Sequence, residues 1–273
     1  MAGPCEQAMA QEPFTVPQPP HKPAPPATAA ATPLQPPSNF GSKLLVVVGV
    51  LMLAALLYAG ATSGARTAVA LPPPEVDAKV PSPPATATAV FAGGCFWGVQ
   101  AVFQHTRGVL NAVSGYAGGS KETASYALVS SGKTGHAEAV AITYDPQVVS
   151  YGQLLQIFFS VAHDPTEVDR QGPDYGPQYR SAIFYAHPDE QRVAEQYIAQ
   201  LDAGRMLPRK IATTLAPLDA FYPAEDEHQD YATRNPHSIY IATYDRPKIA
   251  QLKALLPERF RETPVLVAGS TQR

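Results

Sequence analysis

One cysteine stands out for the chemistry that its surroundings allow. Cys95 lies in the run GGCFWG (93–98), which follows a strand pattern and opens a helical pattern. Free backbone N–H groups and the positive end of the helix dipole stabilise a thiolate at such a position. The paired glycines also let a ligand approach the sulfur closely. An isolated cysteine is more often a small core side chain, but this context predicts a reactive thiol.

Glu138 is the candidate acid that a thiolate would need. The alternating pattern from His136 to Tyr144 predicts a strand that places Glu138 on one face with Val140 and Ile142. A carboxyl group on an apolar face is partly desolvated, which raises its pKa and favours the protonated acid. Such an acid can protonate an oxygen that leaves a substrate. The alternative is a solvated glutamate at a strand end.

Two aromatic residues directly follow the thiol. Phe96 and Trp97 have the helical spacing of ordinary core residues, but Trp97 is the one tryptophan of the chain and both adjoin Cys95. Together they could form an apolar wall for a small substrate group.

Other kinds of site are less well supported. The run 225–228 joins three carboxylates to a histidine, but no second cysteine and no i, i+4 histidine pair accompanies it, so we predict no metal. A cysteine hydrolase would need a histidine base, and spacing does not choose among His136, His163 and His228. The sequence has no Gly-rich phosphate loop, and its net charge of -3 argues against nucleic acid as a partner.

The chain divides by composition before residue 85. Residues 1–43 are rich in proline and predict a disordered tail, and residues 62–84 predict a Pro-rich linker. Between them, residues 44–61 contain no charge and would form a helix of about 27 Å, close to the ~30 Å of a bilayer core. We therefore predict a single transmembrane signal anchor.

The membrane segment leaves two questions open. A signal peptide cleaved at 68–70, where the sequence is Ala-Val-Ala, is the alternative to a retained anchor. Lys22 and Lys43 precede the segment and Arg66 and Lys79 follow it, so charge does not determine orientation. We expect the C-terminal domain on the non-cytoplasmic side.

The folded domain is predicted over residues 85–262, with a tail over 263–273. Strand patterns alternate irregularly with helical ones, which indicates an α+β fold, a two-layer sandwich of a mixed sheet with helices packed on it. Predicted strands cover 85–92, 109–116, 136–144, 179–185 and 211–216. Predicted helices cover 95–105, 150–162, 188–202, 224–234 and 246–256, and a loop covers 163–177.

The motifs together resemble one family, the peptide methionine sulfoxide reductases of the A type. The matching runs follow the family order over about residues 88–240. They are GGCFWG (93–98), GYAGG (115–119), SGKTGHAEAV (131–140), YDP (144–146), HDPT (163–166), RQGPDYGPQYRS (170–181) and FYPAEDEHQDY (221–231).

The resemblance implies a ferredoxin-like fold and a role for each matching residue. Cys95 would attack the sulfoxide sulfur, and Glu138 would protonate the sulfoxide oxygen, which Tyr126 and Tyr179 would bind. Phe96 and Trp97 would enclose the methyl group, and Asp174 would line the site. His228 matches a family histidine to which we assign no direct role. The implied reaction converts the S epimer, in proteins or free, to methionine and repairs oxidised proteins.

The resemblance also implies the partners. No cysteine follows Cys95, and Cys5 lies beyond the apolar segment. We therefore expect an external thiol, such as thioredoxin or glutathione, to reduce the sulfenic acid on Cys95. We expect no cofactor. We expect the enzyme to be a monomer and its substrates to be oxidised proteins or peptides that contain methionine sulfoxide. Two alternatives remain open: a peroxide-reacting thiol protein, and a non-catalytic module that binds Met-rich or oxidised proteins.

Overall fold

The computed structural model of the chain describes residues 68–79 and 85–267. The predicted tail over 1–43, the predicted anchor over 44–61 and Cys5 lie outside the described residues. Among the described residues, no helix combines the length and the apolar character that crossing a bilayer requires.

A six-stranded mixed sheet forms the centre of the domain. Its order is β7-β6-β1-β3-β2-β8, in which β6 and β7 are parallel and the other neighbours are antiparallel; β4 and β5 form a separate hairpin. The strands are β1 (Ala87–Gly93), β2 (Val109–Ala117), β3 (Ala137–Tyr144), β4 (Arg170–Gln171), β5 (Asp174–Tyr175), β6 (Ser181–Tyr185), β7 (Thr214–Pro217) and β8 (Phe221–Pro223).

In the described residues, six α-helices accompany the sheet, with short 3-10 and π-helical turns between them. The helices are α1 (Phe96–Gln104), α2 (Tyr126–Val129), α3 (Tyr151–Ile157), α4 (Pro188–Ala203), α5 (Tyr231–Arg234) and α6 (Arg246–Leu255). The 3-10 turns are Lys121–Thr123, Pro177–Tyr179 and Asp226–His228, and the π-helical turns are Phe158–Ala162 and Ile241–Asp245. Ser150 caps α3 in a capping box with Gln153.

The two faces of β3 serve different parts of the core. Val140 and Ile142 join the large apolar cluster that includes the helices, whereas Ala137 and Ala139 join a small cluster built from strand residues on the other face. The small alanine side chains leave room for Phe184 on that face. The α+β class is therefore confirmed, and the ferredoxin-like arrangement stays a prediction.

Three predicted elements differ from the structure. The strand predicted at 211–216 begins only at Thr214, because the backbone N–H of Ala212 donates to the carbonyl of Pro165 at 2.7 Å. The helix predicted at 224–234 is broken where Asp230 takes a φ of 57°. The predicted loop over 163–177 contains the β4–β5 hairpin.

Part of the predicted linker lies against the domain. Leu71 is buried, and its backbone N–H donates to Ser160 Oγ at 3.2 Å. Asp77 Oδ1 accepts from the backbone N–H of Gly152 at 2.7 Å. Residues 68–79 therefore form a strap on the helices rather than a free spacer, because backbone and side-chain groups of the domain satisfy its polar groups. Residues 68–79 thus pack on the domain that is predicted from residue 85.

Candidate active site

Cys95 lies at the junction between β1 and α1. It is the N-cap residue of α1, with φ -49° and ψ 121°, and its side chain is buried. Gly94 before it has a φ of 88°, and a Cβ there would lie 2.5 Å from Gln171 Cβ. Only glycine fits this turn. The positive end of α1 therefore faces the thiol, as the sequence predicts.

Glu138 reaches the same helix start from β3. Its Oε2 accepts a hydrogen bond of 3.0 Å from the backbone N–H of Phe96, the residue after Cys95. Burial raises the pKa of Glu138 well above its ordinary value, the hydrogen bond from Phe96 opposes this, and the charges of Asp174 and Asp245 raise the pKa further. Burial is the largest of these influences, so the site favours the protonated acid.

The predicted apolar wall consists of Phe96 and Trp97, and both side chains are fully buried. The Trp97 ring stacks on Tyr231 with centroids 3.7 Å apart and planes 12° apart. His228 lies beside both residues, with centroids 5.4 Å from Phe96 and 6.0 Å from Trp97. The indole and phenyl rings are thus held by contacts from the C-terminal part of the chain.

Tyr126 is held by Glu225, which the sequence offers only as a candidate metal ligand. Glu225 Oε1 accepts from the backbone N–H of Tyr126 at 2.9 Å, and Glu225 Oε2 accepts from the Tyr116 hydroxyl at 2.8 Å. Burial alone raises the pKa of Glu225, but the hydrogen bonds from Tyr126 and Tyr116 contribute to holding that pKa below its ordinary value. Glu225 therefore stays ionised and fixes the start of α2.

His228 packs on the Tyr126 ring with centroids 4.2 Å apart. Burial lowers the pKa of His228, although Glu225 and Glu227 act in the opposite direction. The imidazole is therefore neutral at physiological pH. Within the described parts of the chain, no group of three histidine, cysteine, aspartate or glutamate side chains is arranged to hold a metal ion.

Asp174 and Tyr179 lie on β5 of the β4–β5 hairpin and on the 3-10 turn that follows it. Asp174, on β5, is buried and accepts a hydrogen bond from the Tyr240 hydroxyl. Tyr179 is fully buried on the turn before β6, two residues ahead of Ser181, which pairs with Gly93 of β1. Both residues are thereby brought towards the β1–α1 junction.

The structure assembles these residues with others that sequence reasoning missed. The two further histidines form hydrogen bonds within the fold: His163 Nε2 with Ser181 Oγ at 2.7 Å, and His136 Nε2 with the carbonyl of Ser120 at 2.9 Å. Tyr231 and Tyr240 both contact Trp97, yet no motif spacing distinguishes them among the 13 tyrosines. For Tyr231, the only available signal is its place at the end of the run 221–231.

The comparisons with known proteins point to one family. Residues 87–259 match the family model described as peptide methionine sulfoxide reductase. The chain is 55% identical over 188 residues to peptide methionine sulfoxide reductase MsrA 2 of Mesorhizobium japonicum, covering 69% of this chain and 96% of that protein. It is 50% identical over 193 residues to MsrA 2 of Synechocystis sp., covering 70% and 90%.

A solved structure gives the same relationship. The crystal structure of Mxr1 from Saccharomyces cerevisiae in reduced form has a TM-score of 0.51 and 31% identity, and the match covers 59% of this chain and 91% of that one. The chain therefore belongs to the peptide methionine sulfoxide reductase family and is an oxidoreductase.

Proposed function

We propose that this enzyme reduces methionine-S-sulfoxide, both in proteins and as the free amino acid, with Cys95 as the nucleophile. The observation that carries the proposal is the contact between Glu138 and the backbone N–H of Phe96 at 3.0 Å. It places a buried acid beside the residue that follows the thiol, at the positive end of α1. A nucleophile and a proton donor at one helix start are what sulfoxide reduction requires.

The reaction transfers one oxygen from one sulfur to another. The Cys95 thiolate attacks the sulfoxide sulfur while Glu138 gives its proton to the oxygen. The attack forms an S–S bond between Cys95 and the substrate. The S–O bond of the substrate then breaks and its hydroxyl group bonds to the Cys95 sulfur, while the S–S bond breaks and leaves its electron pair on the substrate sulfur. Methionine leaves and Cys95 becomes a sulfenic acid. The substrate sulfur is reduced by two electrons and the cysteine sulfur is oxidised by two.

The surrounding side chains divide the substrate between them. The hydroxyls of Tyr126 and Tyr179 bind the sulfoxide oxygen, and Phe96 and Trp97 enclose the methyl group on sulfur. Asp174 lines the site on the hairpin side. The substrate is then contacted at three positions, by Cys95 at the sulfur, by the hydroxyls at the oxygen and by the aromatic rings at the methyl group. A three-point contact supports selection of the S epimer over the R epimer.

An external thiol returns Cys95 to its starting state. Cys95 is the one cysteine among the described residues. A thiol of a thioredoxin-like protein or of glutathione attacks the sulfenic acid, releasing water and forming a mixed disulfide, and a second thiol then resolves it. No resident cofactor takes part in this scheme.

A single-turnover experiment tests the proposal. Reduced enzyme is mixed with methionine-S-sulfoxide without a reductant, and both methionine and the mass of the enzyme are measured. We expect one methionine per enzyme and one added oxygen on Cys95, and neither product with Cys95→Ser. Methionine formed by Cys95→Ser, or an intramolecular Cys5–Cys95 disulfide as the product, would contradict the scheme. Oxidation by peroxide without turnover of sulfoxide would favour the peroxide-reacting alternative.

We also propose that residues 44–61 anchor the enzyme in a membrane, with the catalytic domain on the non-cytoplasmic side. The support is the uncharged apolar run between two Pro-rich segments. Fractionation of cells followed by protease protection tests this: the domain should sediment with membranes and should resist protease added from the cytoplasmic side.

A further inference from the structure

Tyr240 connects two parts of the site that are far apart in the sequence. It lies directly before the π-helical turn Ile241–Asp245 and is 7% exposed. Its hydroxyl donates a hydrogen bond to Asp174 Oδ2, across 66 residues of chain. Asp174 is 1% exposed, so water contributes little to its solvation. A buried carboxyl group depends on protein donors such as this hydroxyl for a defined orientation.

The ring of Tyr240 also contacts Trp97 of the apolar wall. Its centroid lies 6.0 Å from that of Trp97, with the planes at 84°, the edge-to-face geometry that aromatic pairs favour. Trp97 stacks on Tyr231 through a separate contact. Tyr240 therefore restrains Trp97 from a second direction while its hydroxyl restrains Asp174.

The segment around Tyr240 is itself fixed on the catalytic helix. At the end of the π-helical turn, Asp245 is fully buried, and its Oδ1 would lie 2.1 Å from a Cβ placed on Gly98. Tyr244 packs its ring on Tyr240 with centroids 5.1 Å apart. Tyr240 is thus held in place by a segment packed directly against α1. Its hydroxyl is therefore a positioned hydrogen-bond donor for Asp174.

We propose that Tyr240 is a positioning residue for sulfoxide reduction, one that orients the Asp174 carboxyl group and the Trp97 ring around the substrate. The proposal rests on the proposed function of the site. It predicts that the hydroxyl and the ring have separable effects, since the first contacts Asp174 and the second contacts Trp97. Loss of preorganisation at a binding group raises KM more than it lowers kcat.

The test compares Tyr240→Phe with Tyr244→Phe in the full chain, each assayed with methionine-S-sulfoxide and dithiothreitol. Tyr244→Phe is the matched control, because it also removes one tyrosine hydroxyl from the same segment. We expect Tyr240→Phe to lower kcat/KM roughly tenfold or more, mainly through KM, since a hydrogen bond to a carboxylate is lost. Tyr244→Phe should behave as the wild type.

Two further measurements separate positioning from a general loss of structure. In an Asp174→Asn background, Tyr240→Phe should cause little additional loss, because the two residues act through one contact. Tyr240→Leu should also shift the fluorescence of Trp97, the one tryptophan of the chain, whereas Tyr240→Phe should leave it unchanged. Full additivity of Asp174→Asn and Tyr240→Phe would overturn the proposal.

The outcomes also distinguish this proposal from the function on which it rests. A wild-type enzyme that turns over sulfoxide, together with a Tyr240→Phe variant whose kcat and KM match it, would overturn the role of Tyr240 alone. A wild-type enzyme that consumes no sulfoxide would overturn the proposed function and, with it, the reaction in which Tyr240 is placed.

Discussion

At the scale of single residues, Glu138 is subject to opposing influences on its charge. The backbone N–H of Phe96 stabilises the carboxylate at 3.0 Å, but burial and the nearby carboxyl groups of Asp174 and Asp245 destabilise it. Burial is the dominant influence, and the pKa of Glu138 is raised. Desolvation therefore makes Glu138 costly to ionise and favours the protonated form that the proposed reaction needs.

Replacing the acid tests its role in the chemistry. Glu138→Gln keeps an oxygen that can accept from Phe96 but has no acidic proton, so we expect kcat to fall by roughly 10²–10⁴. Glu122→Gln, at an exposed carboxyl group on the turn Lys121–Thr123, is the matched control and should retain full activity. Steady-state kinetics with methionine-S-sulfoxide measure both; an active Glu138→Gln enzyme would remove Glu138 from the mechanism.

The raised pKa also has a consequence for stability. Between the unfolded and folded pKa values of Glu138, the folded protein retains a proton that the unfolded chain releases, so the free energy of unfolding decreases as pH rises. Urea denaturation from about pH 5 to about pH 8 should show this decrease in the wild type. Because Asp245 and His228 also titrate with shifted pKa values, the comparison is the difference between the wild type and Glu138→Gln. A difference that does not change with pH would contradict the assigned shift.

At the scale of elements, the position of α1 is set by close contact with the C-terminal segment. Gly98 is required because the Asp245 carboxyl group and the Lys248 ammonium group, 3.1 Å apart, lie directly over its Cα. Gly93 likewise leaves room for Phe158 and His163 behind the catalytic turn. The glycines of the GGCFWG run therefore serve packing as well as access to the thiol.

Adding one methyl group to α1 should disturb this packing. In Gly98→Ala the new Cβ would lie 2.1 Å from Asp245 Oδ1, in a buried site that cannot relax freely. We expect a loss of about 1–3 kcal/mol in the free energy of unfolding. Gly204→Ala is the control, because the nearest atom is the flexible Met206 Cε at 3.0 Å. Equal stability of the two variants in urea denaturation would show that α1 has more freedom than the structure indicates.

The strap over 68–79 is a second element whose contribution can be measured. Leu71 is buried in the main apolar cluster, so Leu71→Ala should cost about 2–5 kcal/mol. Val69→Ala, at a side chain that is 48% exposed, should cost little. Thermal unfolding of both variants tests the assignment; equal midpoints would mean that the strap does not stabilise the domain in solution.

At the scale of the whole molecule, the sequence predicts the helix-start position of Cys95 and the burial of Glu138 better than it predicts the residues that pack around them. The glycine turn before Cys95 and the mixed face of β3 are local patterns, so the thiol and the acid can be found without a structure. Tyr231 and Tyr240 contact Trp97 through tertiary packing, and the periodicity of the sequence does not predict such contacts. The contacts of the strap are not predictable from its proline content, because composition does not reveal that polar groups on α3 and α4 satisfy its backbone.

In the proposed reaction, Cys95 and Glu138 together reduce one epimer of methionine sulfoxide. The most direct measurement is consumption of the separate S and R epimers by the purified chain from residue 68 onwards, with dithiothreitol as reductant and Cys95→Ser as the control. We expect that the S epimer is converted to methionine, that the R epimer is not, and that Cys95→Ser converts neither. Consumption of the R epimer alone, or of neither epimer by the wild type, would contradict it.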